Sequence, residues 1–291
     1  MGLSALEKAL AEPAVQRALG GDAGRAAFLA QVCEGVDGAL SSISAGEMVQ
    51  LALDILALYG QQGADAVHAR LPMMAVRAAA RLRAGAVAQG GGAQGGAMRV
   101  QVQRKTQPYA NFFAVEEFDL THDRFDGSKT APLRRATFVM GDAVTVLPYD
   151  PVRDKVLLVQ QFRAGPFARG DRDCWPLEPI AGRIDAGETP EAAAAREAQE
   201  EAGLALQGLH LVAGYYPSPA AVTEYIYSYV ALCDLPDQAR GLFGLPSEGE
   251  DIKTHIIGLD DLLARLDAGQ LSNGPLILTA LWLAQNKARF K

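Results

Sequence analysis

Apolar residues in the first third of the chain recur at the spacing of an α-helix. Ser44 and Glu47 have the spacing of a capping box, in which each side chain bonds the other residue's backbone N–H. Four apolar residues follow at helical spacing: Met48, Leu51, Ile55 and Leu58. Pro72 predicts the start of a second helix, because proline fits the first helical turn. Residues 1–84 are therefore expected to form a small all-α region. Three roles stay open for it: a helical bundle, a docking module or a dimerisation arm.

A linker follows, and the pattern then changes. Residues 85–98 are rich in glycine and alanine, which is typical of a flexible linker. Beyond it, short apolar and β-branched runs predict strands at 100–105, 112–120, 133–140, 143–147, 156–161, 209–215, 224–232 and 252–257. Helical patterns close the chain at 260–266 and 275–287. A mixed sheet with helices packed on it predicts an α+β sandwich over residues 99–291.

The overall composition narrows the classes of partner. The net charge of −7 gives no global support to a nucleic-acid-binding surface. No apolar run is long enough to cross a bilayer, and the first residues lack the basic and apolar segments of a signal peptide. Cys33, Cys174 and Cys233 are far apart and form no Cys-x-x-Cys pair, as expected for reduced thiols. These features predict a cytoplasmic protein without a nucleic acid or membrane partner.

The stretch from Gly182 to Leu204 carries the strongest chemical signal in the chain. Thr189 and Pro190 have the pattern of an N-cap followed by the first helical residue. Gly203 has the pattern of the left-handed residue that ends a helix. The pattern predicts one helix from 190 to 202, entered through a loop that contains glycine at both of its ends.

Three glutamates of this predicted helix share one face. Glu197, Glu200 and Glu201 occupy positions i, i+3 and i+4. Like charges at this spacing repel by roughly 0.2–0.5 kcal/mol per pair. An oxygen-only cluster that tolerates this repulsion indicates a hard divalent cation such as Mg²⁺. A second face of small residues is expected to pack against a sheet, on the side away from the carboxylates: Ala195, Ala198 and Ala202.

The same stretch resembles the Nudix box. That box is glycine, five residues, glutamate, seven residues, arginine-glutamate, an apolar residue, any residue, two glutamates, any residue, glycine and an apolar residue. Every fixed position is filled, with Ala198 as a small residue in the first apolar position. Arg196 has a permanent charge and is expected to brace the loop by pairing with Glu188. The resemblance implies the α/β/α Nudix fold and hydrolysis of a nucleoside diphosphate linked to another group.

Segments outside the box narrow the resemblance. The chain is similar to bacterial ADP-ribose pyrophosphatases, including the branch linked to tellurite resistance, at 147–154, 159–163, 178–182, 216–219 and 247–252. Tyr-Pro-Ser-Pro at 216–219 stands where that subfamily carries its marker proline. One departure is Ala220, where the family often has glycine after Ser-Pro. The resemblance implies hydrolysis of ADP-ribose to AMP and ribose 5-phosphate.

The resemblance also implies a role for each candidate site residue. Divalent ions, Mg²⁺ with Mn²⁺ as a substitute, would be held by the Ala181 carbonyl, Glu197, Glu201 and Glu250. Glu248 would be the general base, and Glu200 and Arg196 belong with it to the catalytic group, Glu200 assisting with the ions. Arg163 would contact the diphosphate, because its guanidinium suits phosphate oxygens. Glu178 and Pro219 would bind the substrate near its terminal ribose.

Two other functions and one assembly stay open at this point. The first alternative is hydrolysis of another nucleoside diphosphate sugar, such as an ADP-sugar or GDP-mannose. The second is a sensor that binds ADP-ribose without cleaving it. The family resemblance also implies a homodimer that exchanges N-terminal strands, with 99–140 as the exchanged segment.

Overall fold

The chain forms two compact units, and each is described by itself. The computed structural model describes residues 5–35, 40–86, 99–235, 239–245 and 249–290. Unit 1 comprises Met1–Asp142, Asp185–Glu188 and Ser218–Glu224. Unit 2 comprises Ala143–Ile184, Thr189–Pro217 and Tyr225–Lys291. No helix among the described residues is long and apolar enough to span a bilayer.

The helices of unit 1 bury their apolar stripes against one another. They are α1 (Ala5–Ala11), α2 (Pro13–Leu19), α3 (Ala23–Val32), α4 (Ala45–Leu56), α5 (Ala64–His68) and α6 (Leu71–Ala86). The capping box at the start of α4 is confirmed, since Ser44 Oγ accepts from the Glu47 N–H and Glu47 Oε2 from the Ser44 N–H. Leu51, Ile55 and Val67 are fully buried in the core of this unit. The predicted all-α region is therefore present.

Three antiparallel strands follow in unit 1. They are β1 (Val100–Ala110), β2 (Ala114–His122) and β3 (Leu133–Val139), in that order across the sheet. Helix α6 includes the first two residues of the predicted 85–98 linker. Residues 87–98 lie outside the described residues, so the predicted domain boundaries stay predictions.

Unit 2 is built on a mixed sheet of eight strands. They are β4 (Ala143–Asp150), β5 (Lys155–Gln160), β6 (Leu177–Glu178), β7 (Ile180–Arg183), β8 (Gly208–Tyr215), β9 (Ile226–Leu232), β10 (Leu242–Phe243) and β11 (Ile252–Gly258). The order is β10-β11-β5-β4-β9-β8, with β6 paired to β5 and β7 paired to β4. The β4–β9 pair is parallel and the others are antiparallel, which confirms the predicted mixed sheet.

Helices cover both faces of this sheet. They are α8 (Pro190–Ala202), α9 (Leu259–Asp267) and α10 (Gly274–Asn286), whereas the short helix α7 (Ala164–Arg169) buries none of its residues. Side chains alternate along a strand, so Val144 and Val146 of β4 pack with residues of α8, while Leu147 packs with α9 and α10. The result is the α/β/α arrangement implied by the resemblance.

Candidate functional site

The helix α8 begins and ends as the sequence predicts. Thr189 Oγ1 accepts a hydrogen bond from the Ala192 N–H at 3.2 Å, and Pro190 is the first helical residue. Gly203 has φ 62°, a left-handed conformation that favours glycine, and its N–H donates to the Gln199 carbonyl at 3.0 Å. The local sequence alone therefore fixes the length of the helix that carries the glutamates.

The prediction about the faces of α8 was correct for Ala198 and Ala202, which are buried, and wrong for Ala195 and for two of the glutamates. Ala195 is exposed, whereas Ala194 and Ala198 are fully buried. Glu197 and Glu201 lie on the same buried face as these alanines, and they are only 9% and 1% exposed. The reason is helical geometry, because positions 194, 197, 198 and 201 form one stripe at i, i+3, i+4 and i+7. The helix therefore holds two carboxylates inside the unit.

The strand β7 meets these carboxylates with its backbone. The Ala181 N–H donates to Glu201 Oε2 at 3.1 Å. A Cβ added at Gly182 would collide with the carboxyl group of Glu197, so a larger residue requires that side chain to move. The glycine that opens the predicted box thus allows close approach of strand and helix. The structure brings Ala181 and both glutamates together, and their role as metal ligands stays a prediction.

Glu201 is the more deeply buried of the two glutamates. Its Oε1 accepts from Gln161 Nε2 at 3.3 Å. Burial, with the negative charges of Glu197 and Glu250, raises the pKa of Glu201 to about 8 against the lowering effects of the Ala181 N–H and of Arg163. Sequence reasoning gave Gln161 no role, although it belongs to the quoted segment 159–163 and lies two residues before Arg163.

Arg196 is the counter-charge of the other two glutamates. Its Nη1 lies 2.7 Å from Glu197 Oε1 and 3.0 Å from Glu200 Oε2, and its Nη2 donates to the Arg183 carbonyl at 2.9 Å. Burial raises the pKa of Glu197 to about 7 against the lowering effect of Arg196. The predicted pairing of Arg196 with Glu188 stays a prediction.

The loop of the box contacts the first turn of α4 and the turn before that helix, all within unit 1. The Gly187 N–H donates to Glu47 Oε1 at 3.1 Å, and Ser42 Oγ donates to the Ala186 carbonyl at 3.3 Å. Within the loop, the Asp185 N–H donates to Glu188 Oε2 at 3.1 Å. Glu47, which belongs to the capping box of α4, therefore also orients part of the loop. Nothing in the local sequence indicated this second contact.

Arg163 and Glu178 form the second part of the site. Arg163 Nε donates to Glu178 Oε2 at 2.8 Å, and Asn273 Nδ2 donates to Glu178 Oε1 at 2.9 Å. Glu178 is buried, whereas the Arg163 side chain is 37% exposed. Glu178 therefore fixes the direction of a guanidinium whose Nη groups make no hydrogen bond within the described residues. Asn273 was missed because its contact spans 95 positions of the sequence.

The remaining predicted residues differ in what the structure says of them. Glu250 accepts from the Leu245 N–H at 3.0 Å, and its charge raises the pKa values of Glu197 and Glu201. Pro219 is exposed in a turn of unit 1, and its role with substrate stays a prediction. Glu248, the predicted general base, lies outside the described residues.

The donor set fits a hard cation. The contributing groups are oxygen atoms only, and burial raises the pKa values of the two innermost carboxylates, an effect that a nearby positive charge reverses. Among the described residues, no three His, Cys, Asp or Glu side chains are grouped closely enough to hold a metal as they stand. A cation bound by Glu197 Oε1 would therefore compete with Arg196.

These carboxylates make the stability of the metal-free protein depend on pH. The pKa values of Glu197 and Glu201 in the folded state, about 7 and about 8, exceed the reference value of 4.5. Between pH 4.5 and about 8 the folded state therefore binds more protons than the unfolded state. We expect the free energy of unfolding to fall as the pH rises from 5 to 9 with a chelator present. Urea denaturation at each pH measures the free energy of unfolding. In Glu201→Gln this free energy should depend less steeply on pH. Equal slopes for both proteins would contradict the assignment.

Several known proteins are similar to this chain over most of their own length. The model of the NUDIX domain family matches residues 140–277. An ADP-ribose pyrophosphatase of Haemophilus influenzae is 34% identical over 185 residues, which are 63% of this chain and 85% of that protein. The ADP-ribose pyrophosphatase of Escherichia coli K12 is 33% identical, covering 63% and 87%.

Two further proteins are similar at lower identity. A GDP-mannose pyrophosphatase of Citrobacter koseri is 30% identical over 60% of this chain and 88% of its own length. A crystal structure of an ADP compounds hydrolase aligns with a TM-score of 0.49 and 20% identity, covering 65% of this chain and 96% of the other. With the box filled, the family model matched and more than four-fifths of the Haemophilus relative covered, the chain belongs to the Nudix family.

Proposed function

We propose that this protein hydrolyses the pyrophosphate of ADP-ribose to AMP and ribose 5-phosphate in a metal-dependent reaction. The observation that carries the proposal is the pair of buried carboxylates, Glu197 and Glu201, against the β7 backbone, with the charge of Arg163 acting on Glu201. Relatives at 33% and 34% identity are named ADP-ribose pyrophosphatases. The filled box separates this proposal from a sensor that only binds, because every glutamate is kept.

The metal we propose is Mg²⁺, with Mn²⁺ as a substitute. The Ala181 carbonyl, Glu197, Glu201 and Glu250 would hold it, with Glu200 assisting. When bound, Mg²⁺ supplies charge neutralisation at the pyrophosphate and lowers the pKa of a bound water. The chain itself supplies a fixed arrangement: Gly182 lets Glu197 approach the strand, and the Ala181 N–H orients Glu201.

Arg163 would bind the diphosphate. Its Nε is engaged by Glu178, so the two Nη groups are presented as a pair of donors in a fixed direction. A guanidinium held in this way suits two oxygens of a phosphate. Arg196 would return to Glu200 or Glu197 when either carboxylate is free, which keeps the face of α8 neutralised between turnovers.

Replacing the proposed general base should change the rate of turnover without changing the affinity for Mg²⁺. We expect Glu248→Gln to lower kcat by about 10²–10⁴-fold, because proton transfer by a positioned group contributes an effect of this size. Mg²⁺ affinity, measured by calorimetry, should stay close to the wild-type value. Glu197→Gln is the comparison, since loss of a proposed ligand lowers both quantities. Unchanged turnover in Glu248→Gln removes that residue from the mechanism.

The choice of sugar nucleotide is tested with a substrate panel. Relatives at 28–30% identity are named GDP-mannose pyrophosphatases, which keeps GDP-mannose as the second candidate. Incubation with each substrate and Mg²⁺ in ¹⁸O-labelled water reports activity, products and the attacked phosphorus together. A higher kcat/KM for GDP-mannose than for ADP-ribose overturns the proposed substrate, and intact substrates throughout favour the sensor.

The assembly and location remain parts of the proposal. A homodimer exchanging 99–140 is supported only by the family resemblance, and light scattering that gives a monomer counts against it. A cytoplasmic location draws support from the buried free thiols Cys33, Cys174 and Cys233, which are typical of reducing compartments. The link to tellurite resistance stays a prediction.

A further inference from the structure

Unit 1 contains a charged cavity that the proposed hydrolysis does not use. Its volume is about 80 Å³, and its charged lining residues are Asp54, Arg77, Arg81, Lys105 and Glu116. These residues come from α4, α6, β1 and β2, all within one compact unit. A water requires about 15 Å³ by this kind of measure, so the cavity has room for on the order of five waters or one small anion.

The helix α6 brings two of the cations together. Arg77 and Arg81 are one turn apart at i and i+4, where like charges repel. Arg81 forms salt bridges with both carboxylates of the cavity. It pairs with Asp54, and its Nη2 lies 2.7 Å from Glu116 Oε1. Lys105 Nζ lies 2.9 Å from the same Glu116 oxygen. Both acidic groups of the cavity are therefore already engaged by Arg81 and Lys105.

Arg77 is the residue left without a carboxylate in this arrangement. It is only 4% exposed, yet within the described residues its side chain makes a single hydrogen bond, from Nη1 to the Asn111 carbonyl at 3.5 Å. A guanidinium has five N–H donors. Burial of a charge is costly unless the charge is paired and hydrogen-bonded. Burial and the neighbouring Arg81 together lower the pKa of Arg77 to about 10, so it remains a cation at neutral pH.

We propose that this cavity, the Arg77 cavity, binds one small oxyanion of the phosphate class. Three cations face two carboxylates, so one negative charge balances the cluster. The planar fork of Arg77 matches two oxygens of a phosphate, and Lys105 supplies a second cationic contact at the more exposed end. The ligand is either free phosphate or the phosphate group of a small monoester. The inference does not rest on the proposed hydrolysis, because every residue involved belongs to unit 1.

The test is calorimetric titration of the full-length, metal-free protein with potassium phosphate at constant ionic strength. We expect saturable binding of one phosphate. Arg77→Gln and Lys105→Gln should each weaken it by about tenfold, since hydrogen bonds to charged groups carry this much free energy. Lys8→Gln, an exposed change of the same charge on α1, should leave the affinity unchanged. Arg163→Gln should leave it unchanged as well, because that guanidinium belongs to unit 2.

Further variants and ligands show whether phosphate binds in the Arg77 cavity. Lys105 is 39% exposed, so Lys105→Gln still reports on the cavity if Arg77→Gln fails to fold. Titrations of Arg163→Gln with AMP and ribose 5-phosphate distinguish the two sources of the ligand. Whichever of free phosphate and the monoesters binds with the higher affinity is the ligand of the cavity. Absence of saturable binding, loss of binding only in Arg163→Gln, or acetate binding as tightly as phosphate each overturns the proposal.

Discussion

Glu201→Gln is expected to lower ADP-ribose turnover by roughly 10³-fold while the protein stays folded. Charge stabilisation at a metal-assisted site contributes several kcal/mol, and about 1.4 kcal/mol corresponds to a factor of ten in rate. The amide keeps an oxygen for the Ala181 N–H, so the contact with β7 can persist. It also removes a carboxylate whose pKa burial raises to about 8, which relieves repulsion by Glu197 and Glu250.

Two measurements together make the test decisive. Chromatography of AMP gives kcat and kcat/KM, and thermal unfolding with a chelator gives the stability of the metal-free fold. Glu191→Gln on the same helix is the matched control, because this glutamate is exposed and an amide still accepts from Tyr229 Oη. Full activity of Glu201→Gln would exclude the Glu201 carboxylate from the reaction. If Glu201→Gln loses activity and both it and Glu191→Gln are unfolded, the loss of activity is an effect on stability.

The features that the sequence predicted correctly are those set by short-range chemistry. Thr189, Pro190 and Gly203 fix the ends of α8 through caps and backbone preference. Five of the eight strands of unit 2 were predicted, because apolar residues alternate or run together along β4, β5, β8, β9 and β11. The short strands β6 and β7 were missed. Likewise, α7 contains a glycine and a proline within six residues, and β10 has two residues, so neither is long enough to show a period.

The features that escaped the sequence depend on contacts between distant segments. The pairing of Glu178 with Asn273 and of Glu47 with Gly187 joins residues 95 and 140 positions apart. Nothing local marks such partners. The exposure of Ala195 shows a different difficulty, since several stripes of an alanine-rich helix look equally apolar. Only packing decides which stripe is buried, and here it buried the glutamates as well.

Gly182→Ala is expected to lower activity by about 10–100-fold with little change in stability. The added Cβ would collide with the carboxyl group of Glu197 and force that side chain away from β7. Displacing a side chain that supports a metal site typically costs this much in affinity or activity. Stability should change little, because alanine is preferred to glycine inside a strand by about 0.5–1 kcal/mol, which offsets part of the strain.

A second glycine of the same sheet separates this effect from a general intolerance of alanine. At Gly208 in β8 an added Cβ would lie 3.6 Å from its nearest neighbour, an ordinary contact. Gly208→Ala should therefore keep wild-type kcat, and its midpoint of unfolding should be no lower than the wild-type midpoint, since alanine is preferred to glycine inside a strand. In Gly182→Ala, the Mg²⁺ dependence of the rate should shift to higher concentration, since Glu197 is the displaced group. Wild-type kinetics in Gly182→Ala would mean that Glu197 relaxes without consequence, and that close approach of β7 and α8 matters for packing alone.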